Sequence, residues 1–430
     1  MEKVVAFWFR RDLRLEDNRG LHRAIESGYK VLPVFFFDPD ILDDLPRNDA
    51  RVTFIHQRLN ALQAELQSLG SSLYVRYERP EVGWKHLSEQ FDLQGVFFNR
   101  DYEPYARKRD QQIEGWLNES GIAVHSFKDQ VIFETDEVLK PDGKPYTVFT
   151  PYKRQWMARF TEKDKQPYPK PDQGFVSWNG ELPSLEEMGF ESSSIRVPDY
   201  DLSQLDRYGE VRNFPGLDAT SQIGPHLRFG TIGIRKLIAG LGSQHEVYLN
   251  ELIWREFFMQ ILYHFPENVH RNFKSQYDGV PWRNHAEDFE LWCQGKTGYP
   301  LVDAGMRELL ETGRMSNRVR MVVAGFLCKH LLIHWSWGEA FFAKHLLDFE
   351  LSANNGNWQW AAGTGCDAAP YFRIFNPMTQ QEKFDAQGSY VKRWVPEWGT
   401  DQYPKPMVEH TFARNRALEA FQKATRLDPA

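Results

Sequence analysis

The sequence predicts an α/β plus all-α chain: a doubly wound parallel sheet of Rossmann-like type, then a helical region. Three observations point there. Short apolar runs alternate with helical stretches through residues 1–130. After Tyr200 the strand-like runs nearly vanish and helical spacing takes over. Between them, residues 131–200 are rich in Pro, Lys, Asp and Ser and poor in periodicity. Alternating strand and helix favours a parallel sheet covered on both faces. The expected division is an α/β domain at 1–130, a surface connector at 131–200 and a helical domain at 201–430.

The elements follow in order. Val4–Phe9, Val31–Phe37, Ser72–Tyr77, Val96–Asn99 and Ala123–Phe127 read as strands. Helices are expected at Asn18–Ser27, Ala50–Leu69, Trp84–Phe91 and Tyr105–Asn118, with Gly70 just past the second. Such sheets bind ligands beyond the carboxyl ends of their strands. No Gly-x-Gly-x-x-Gly occurs here, so a standard dinucleotide site is not expected. The connector is Pro-punctuated, as in Lys165-Gln-Pro-Tyr-Pro-Lys-Pro-Asp172, with a short helix near Thr147–Trp156. The helical domain reads as Ser203–Tyr208, Ser221–Phe229, Ile234–Leu241, Glu246–His264, Ala286–Gln294, Pro300–Thr312, Ser316–Trp335 and Glu339–Leu347.

Composition narrows the function class. Of 430 residues, 41% are hydrophobic and 26% charged, ordinary for a globular protein. The net charge of −7 excludes a globally basic nucleic-acid binder, so any DNA contact needs a local basic face. Three scattered cysteines (Cys293, Cys328, Cys366) give neither a disulfide framework nor a zinc pattern, which fits a reducing compartment. The first residues carry too short an apolar run for a signal peptide, and no stretch approaches the roughly 20 apolar residues of a membrane span. A cytoplasmic protein without membrane or metal is expected. Aromatic residues are 14%, with 14 Trp, which by default means core bulk.

One stretch near the end stands out, Asp348 to Pro377. Two acids, two adjacent asparagines and two tryptophans fall between Asp348 and Trp360, followed by Gly363 and Gly365. Asn354 and Asn355 can donate and accept. Trp358 and Trp360, two apart, would point about 200° from each other in a helix. That mix suits a large planar heterocycle. From spacing alone, a polar, glycine-rich turn over a Trp-rich core fits equally well.

The run Asn354-Asn-Gly-Asn-Trp-Gln-Trp-Ala-Ala-Gly-Thr-Gly-Cys-Asp-Ala-Ala-Pro-Tyr-Phe-Arg-Ile-Phe-Asn-Pro377 resembles the flavin signature of the photolyase/cryptochrome family. It is most similar to that of class I cyclobutane pyrimidine dimer photolyases. The opening, Phe7-Trp-Phe-Arg-Arg-Asp-Leu-Arg-Leu-Glu-Asp-Asn18, resembles the family's opening. Asn99-Arg-Asp-Tyr-Glu-Pro-Tyr-Ala-Arg107 resembles the segment of members with a deazaflavin antenna, with Asp101 at the acidic position. Folate-binding members tend to carry a carboxylate where Ala106 stands, so the resemblance favours deazaflavin over folate. An ordinary loop and helix start, without an antenna, fits the residues equally well.

The resemblance, which runs from Phe7 to about Arg414, implies FAD in the helical domain. Thr220-Ser-Gln-Ile-Gly224 opens a predicted helix with two hydroxyl residues, a pattern that can hold phosphate but most often only caps. It resembles the family segment holding the FAD diphosphate (Thr220, Ser221, Gln222, Ile223, Gly224), although members usually have Ser where Gly224 stands. Tyr208, Arg255, Arg320 paired with Asp348, Glu350 in place of a more usual Asp, and Asn354 facing flavin N5 complete the implied cofactor set. Asn250-Glu-Leu-Ile-Trp-Arg-Glu-Phe-Phe258 puts Glu251 and Trp254 on one helix face. Taken alone, that is a helix with one buried Trp and a solvent Glu. Gly295-Lys-Thr begins like a phosphate loop, but the upstream Gly and the leading strand are missing.

The implied substrate is UV-damaged DNA, single- or double-stranded, met by a monomer. Trp254 and Trp360 would stack on the flipped dimer, and Glu251 would hydrogen-bond it. Asn317 and Met321 would line the pocket, while Arg318, Arg373 and Lys383 would meet phosphates. Trp282, Trp335 and Trp358 match the family's electron-transfer tryptophans. The implied reaction is light-driven electron transfer from reduced FAD to the dimer. Two alternatives share the fold. A cryptochrome photoreceptor usually adds a C-terminal extension, for which the chain leaves little room after Arg414. A (6-4) photoproduct photolyase needs a pocket histidine pair, which the matching segments lack; His226 does not discriminate.

Overall fold

Five strands form one sheet in a computed structural model that describes residues 2–427. They are β1 (Lys3–Phe9), β2 (Lys30–Phe37), β3 (Tyr74–Tyr77), β4 (Asp92–Asn99) and β5 (Ala123–Phe127), in the order β3-β2-β1-β4-β5 and all parallel. Alternate residues serve opposite faces. Val5, Phe7 and Phe9 of β1 join one apolar core, and Val4, Ala6 and Trp8 join another. That two-sided burial is why these strands read as unbroken apolar runs. The order reverses beside β1, so the expected ligand crevice lies where β1 and β4 end, at Arg10–Asp12 and Asn99–Asp101. The intervening helices Pro80–Gln90 and Pro104–Glu119 start earlier than the periodicity suggests. In each, Pro takes the first helical position, where its missing N–H costs nothing.

The chain forms two compact units. The first comprises Met1–Val138, Arg154–Asp199 and Ile223–Ser243, and the second Leu139–Lys153, Tyr200–Gln222 and Gln244–Ala430. This differs from a surface connector at 131–200. Phe175 and Val176 are buried because Phe175 bridges Val31, in the part of β2 that β3 does not pair, with Val176 N–H donating to the Val31 carbonyl. The short helix in this segment runs Phe149–Arg159.

The second unit is helical. Glu246–His264, Pro300–Thr312, Trp335–His345 and Leu351–Ala362 are among its longer helices. Pro377–Phe384, Ser389–Trp394 and His410–Leu427 extend it beyond the helices anticipated. Two expectations are corrected. The single helix expected at Ser316–Trp335 is broken. Asn317–Gly325 is α-helical, Phe326–His330 widens into a π-type turn, and Leu332 takes φ 53°. A new helix starts at Trp335, where the His334 side chain accepts from Ser336 N–H. The helix expected at Ser221–Phe229 spans only Gly224–Arg228. Gln222 sits at φ 53°, outside the helical range, so Thr220 and Ser221 do not cap it.

Candidate active site

Most of the predicted site residues belong to the second unit, and the Glu246–His264 and Leu351–Ala362 helices carry its centre. Two glycines let the helices approach. A Cβ on Gly356 would stand 2.2 Å from the Phe258 ring, and one on Gly338 would stand 2.1 Å from Trp358. Leu351–Ala362 ends at Gly363, whose φ of 86° only glycine adopts freely. Trp358 is buried and Trp360 half-buried, as opposite directions require.

Asn354 is buried, and its amide donates to the Glu339 carbonyl and carboxylate at 3.0 and 2.9 Å. Burial pushes the Glu339 carboxyl up, and the Asn354 hydrogen bond opposes it. Glu350, 6% exposed, lies 3.2 Å from the Arg255 guanidinium, so the longer acid still reaches its basic partner. Arg320 pairs with Asp348 at 2.9 Å and donates to the Met315 carbonyl at 2.8 Å.

A second group forms around Glu251, which accepts from Arg212. The Arg212 guanidinium lies 5.3 Å over the Tyr208 ring. Tyr208 meets Tyr248 edge-on at 5.0 Å, and Tyr248 hydrogen-bonds Ser221 at 2.9 Å. Tyr208, Ser221 and Glu251 are thus brought together by Arg212 and Tyr248, neither of which the sequence reading named. The available signals were i, i+4 from Tyr208 to Arg212 and i, i+3 from Tyr248 to Glu251. Thr220 Oγ1 accepts from Gln222 at 3.1 Å.

Asn317 is exposed and Met321 half-buried on one helix. Arg318 donates to Asn213 at 2.9 Å and lies 4.3 Å over Phe384, which Lys383 also approaches. Arg373 is exposed beside Phe372, itself 60% exposed. Trp282 is partly exposed and meets His334 edge-on at 5.3 Å. His334 lies 5.1 Å from Trp335, whose buried indole donates to Asn272.

Three predicted site residues lie in the first unit: Ile223, Gly224 and Asp101. Asp101 sits where β4 ends, but its carboxylate is already engaged. It accepts from Arg11 and from the N–H groups of Tyr102 and Glu103. Burial would raise its pKa, yet Arg11, Arg228 and Arg10 outweigh burial and hold it well below the ordinary value. The Gly295-Lys-Thr turn closes on itself as well. Thr297 and Gly298 donate to the buried Asp303, so the turn offers no phosphate cradle.

Residues 248–400 match the FAD binding domain of DNA photolyase, and residues 5–172 match DNA photolyase. The chain is 36% identical over 486 residues to the deoxyribodipyrimidine photo-lyase of a Synechococcus species, covering 100% of this chain and 99% of that protein. The chain belongs to the DNA photolyase family. Two solved photolyases share its fold. One is a bacterial class III photolyase from Agrobacterium tumefaciens, 34% identical at TM-score 0.88, covering 99% of this chain and 98% of that one. The other is an archaeal photolyase from Sulfolobus tokodaii, solved with two FAD molecules, 32% identical at TM-score 0.87, covering 98% and 100%.

The photolyase FAD-binding region also carries a chemical fit for a polar ligand. Ser316 Oγ, Ser352 Oγ and Asn355 Nδ2 are buried and have no hydrogen-bond partner among the described residues. An unmatched buried group costs roughly 1–3 kcal/mol, which a ligand with matching donors and acceptors would offset. Among the described residues no cluster could hold a metal ion, and no helix is long and apolar enough to cross a membrane.

Lys329 fixes the end of the Asn354 helix. It is 2% exposed, donates to the Ala362 carbonyl and lies 3.6 Å over Phe421. Burial pushes its pKa down to about 7. The unfolded chain holds that proton up to about pH 10.4, so the folded state gains stability as pH rises from about 7 towards 10 and loses it on acidification. Lys329→Met removes the titration. Its melting temperature relative to the parent is expected to be highest below about pH 7 and to decline towards pH 10, read from thermal melts across that range.

Proposed function

We propose that this photolyase repairs cyclobutane pyrimidine dimers in DNA with blue or near-ultraviolet light. The observation that carries the reading is the pairing of Glu251 and Trp254. They lie one turn apart on the Glu246–His264 helix, both partly accessible, with the Glu251 carboxylate held by Arg212. Trp254 and Trp360 supply flat faces for the dimer, worth roughly 1–3 kcal/mol per stacked base. A dimer is poorly stacked in the duplex, so turning it out costs less than for intact bases. Glu251 orients the dimer and stabilises charge that develops on it. Asn317 and Met321 shape the pocket, and Arg318, Arg373 and Lys383 meet phosphates, so affinity falls with salt.

FAD, when bound and reduced, supplies the light-excited electron. Tyr208, Thr220, Ser221, Gln222, Arg255, Arg320, Asp348, Glu350 and Asn354 would hold it, while Trp282, Trp335 and Trp358 would pass electrons inward from the surface. Ile223 and Gly224 would complete the diphosphate segment. For the antenna we propose a deazaflavin over a folate; Asp101 would serve it through the Arg11 pair already formed.

The retained pocket residues favour repair over signalling. The histidine pair His330–His410 does not support (6-4) chemistry: His330 is 1% exposed, packs on Phe326, and burial pushes its pKa down to about 3. The test uses photoreduced protein and an oligonucleotide holding one thymine dimer. Under light, the thymine ultraviolet absorbance is expected to return, with no change in a dark control. No return with reducible FAD present would overturn the reading and make the (6-4) lesion the next substrate.

Asn317→Ala is expected to weaken dimer binding about tenfold, the loss of roughly 1.4 kcal/mol, while the flavin-to-protein absorbance ratio stays unchanged. Binding to dimer-containing and undamaged oligonucleotides checks it.

A further inference from the structure

Trp254 has an aromatic partner from a distant part of the chain. The Phe149 ring lies parallel to it, 3.7 Å between centroids and 7° between planes. Phe149 is 8% exposed and also meets Phe257 edge-on at 5.9 Å. Its backbone is fixed at the same place. Phe149 N–H, the first of the Phe149–Arg159 helix, donates to Asp367 at 3.1 Å. Asp367 holds φ 46°, a conformation that costs a non-glycine residue energy and persists only where its surroundings enforce it. One turn on, Tyr152 donates to Glu256 at 3.3 Å and lies 5.2 Å from Phe257, so the helix start is tied to Glu246–His264 twice. Phe258, one turn along the same helix, also lies 5.5 Å from Trp254 at 30°, and Gly356 receives the Phe258 ring.

We infer that Phe149, anchored by Asp367, is a positioning residue that fixes the plane of Trp254 and thereby the preference of the lesion pocket for a dimer. A stacked base gains most from an aromatic face that is already immobile, because no rotamer freedom is lost on binding. Phe149 supplies that immobility through a face-to-face contact, and Asp367 holds the Phe149 backbone in place. Burial of the ring, the backbone tie to Asp367 and the two Tyr152 contacts make it a fixed support for Trp254. The inference rests on the dimer-repair reading of Trp254.

The experiment measures affinity of the FAD-loaded protein for a dimer-containing single-stranded oligonucleotide and for its undamaged counterpart. Phe149→Leu keeps apolar bulk and removes the flat face. It is expected to weaken dimer binding about tenfold, leave undamaged binding and FAD content unchanged, and be rescued by Phe149→Tyr. Asp367→Ala, which leaves the ring intact, is expected to move dimer affinity in the same direction by a smaller factor. Unchanged dimer affinity, equal loss for both oligonucleotides, or tighter dimer binding in Phe149→Leu would each overturn the inference. Trp254→Ala separates the two readings. If that variant binds dimers like the parent, the dimer-repair reading itself fails. If it loses dimer binding while Phe149→Leu does not, only the positioning role fails.

Discussion

Gly338→Ala is expected to lower the melting temperature by roughly 5–10 °C and to slow light-driven reduction of the bound flavin. The physical reason is a lack of room. A Cβ there would stand 2.1 and 2.5 Å from Trp358 ring carbons and 2.6 Å from Leu327 Cδ2. All three residues are buried, so none can swing into solvent. Overpacking of this kind costs typically about 1–3 kcal/mol, and about 2–4 °C accompanies each kcal/mol in a cooperative unit of roughly 150–250 residues. The Trp358 ring must tilt or the Trp335–His345 helix must lift. Either movement alters the path proposed between Trp335 and Trp358. Thermal melts read the first effect, and flavin bleaching under blue light with an external reductant reads the second. A variant that melts like the parent would mean that the two helices are less closely packed than described.

Asp303→Leu is expected to leave the helical unit unfolded at ambient temperature. Asp303 is 0% exposed and accepts four hydrogen bonds: from Thr297 N–H, Thr297 Oγ1, Gly298 N–H and Tyr403. Leucine preserves the bulk and provides no acceptor. Each stranded donor costs roughly 1–3 kcal/mol, and the sum rivals the whole stability of an ordinary domain. Gly298 cannot retreat to solvent, because a Cβ there would already stand 2.3 Å from the Lys405 carbonyl oxygen. Asp303→Asn keeps the side-chain oxygen and should retain part of the set. Far-ultraviolet circular dichroism and flavin content compare the two variants.

Much of this architecture is legible in the amino-acid sequence. The strands were readable because burial on both faces leaves uninterrupted apolar runs such as Val31–Phe37. Pro300–Thr312 was readable to the residue because Pro300 opens it and Gly313, at φ 67°, closes it. The break after Gly325 was hidden, since Leu331-Leu-Ile333 looks like more buried helix and only the Leu332 dihedral betrays the turn. The start at Gly224 was misplaced for the same reason, a non-glycine residue at positive φ in Gln222. Within the site, the Arg320–Asp348 pair followed from the resemblance and is present. Arg212, Tyr248 and Phe149 were not read, because their partners lie far away in sequence or carry no motif.

The way the chain shuttles between its two units has a consequence for biosynthesis. The first unit needs Phe175 and Val176 against β2 and is completed only by residues 223–243. A nascent chain that has just made β5 therefore holds a sheet with one flank still uncovered. At roughly 5–20 residues per second, the missing pieces take many seconds more to leave the ribosome. During that interval the start of β2, residues 30–33, which β3 does not pair, stays uncovered on that side, and a fragment cut at Val138 would carry the same exposed stretch permanently.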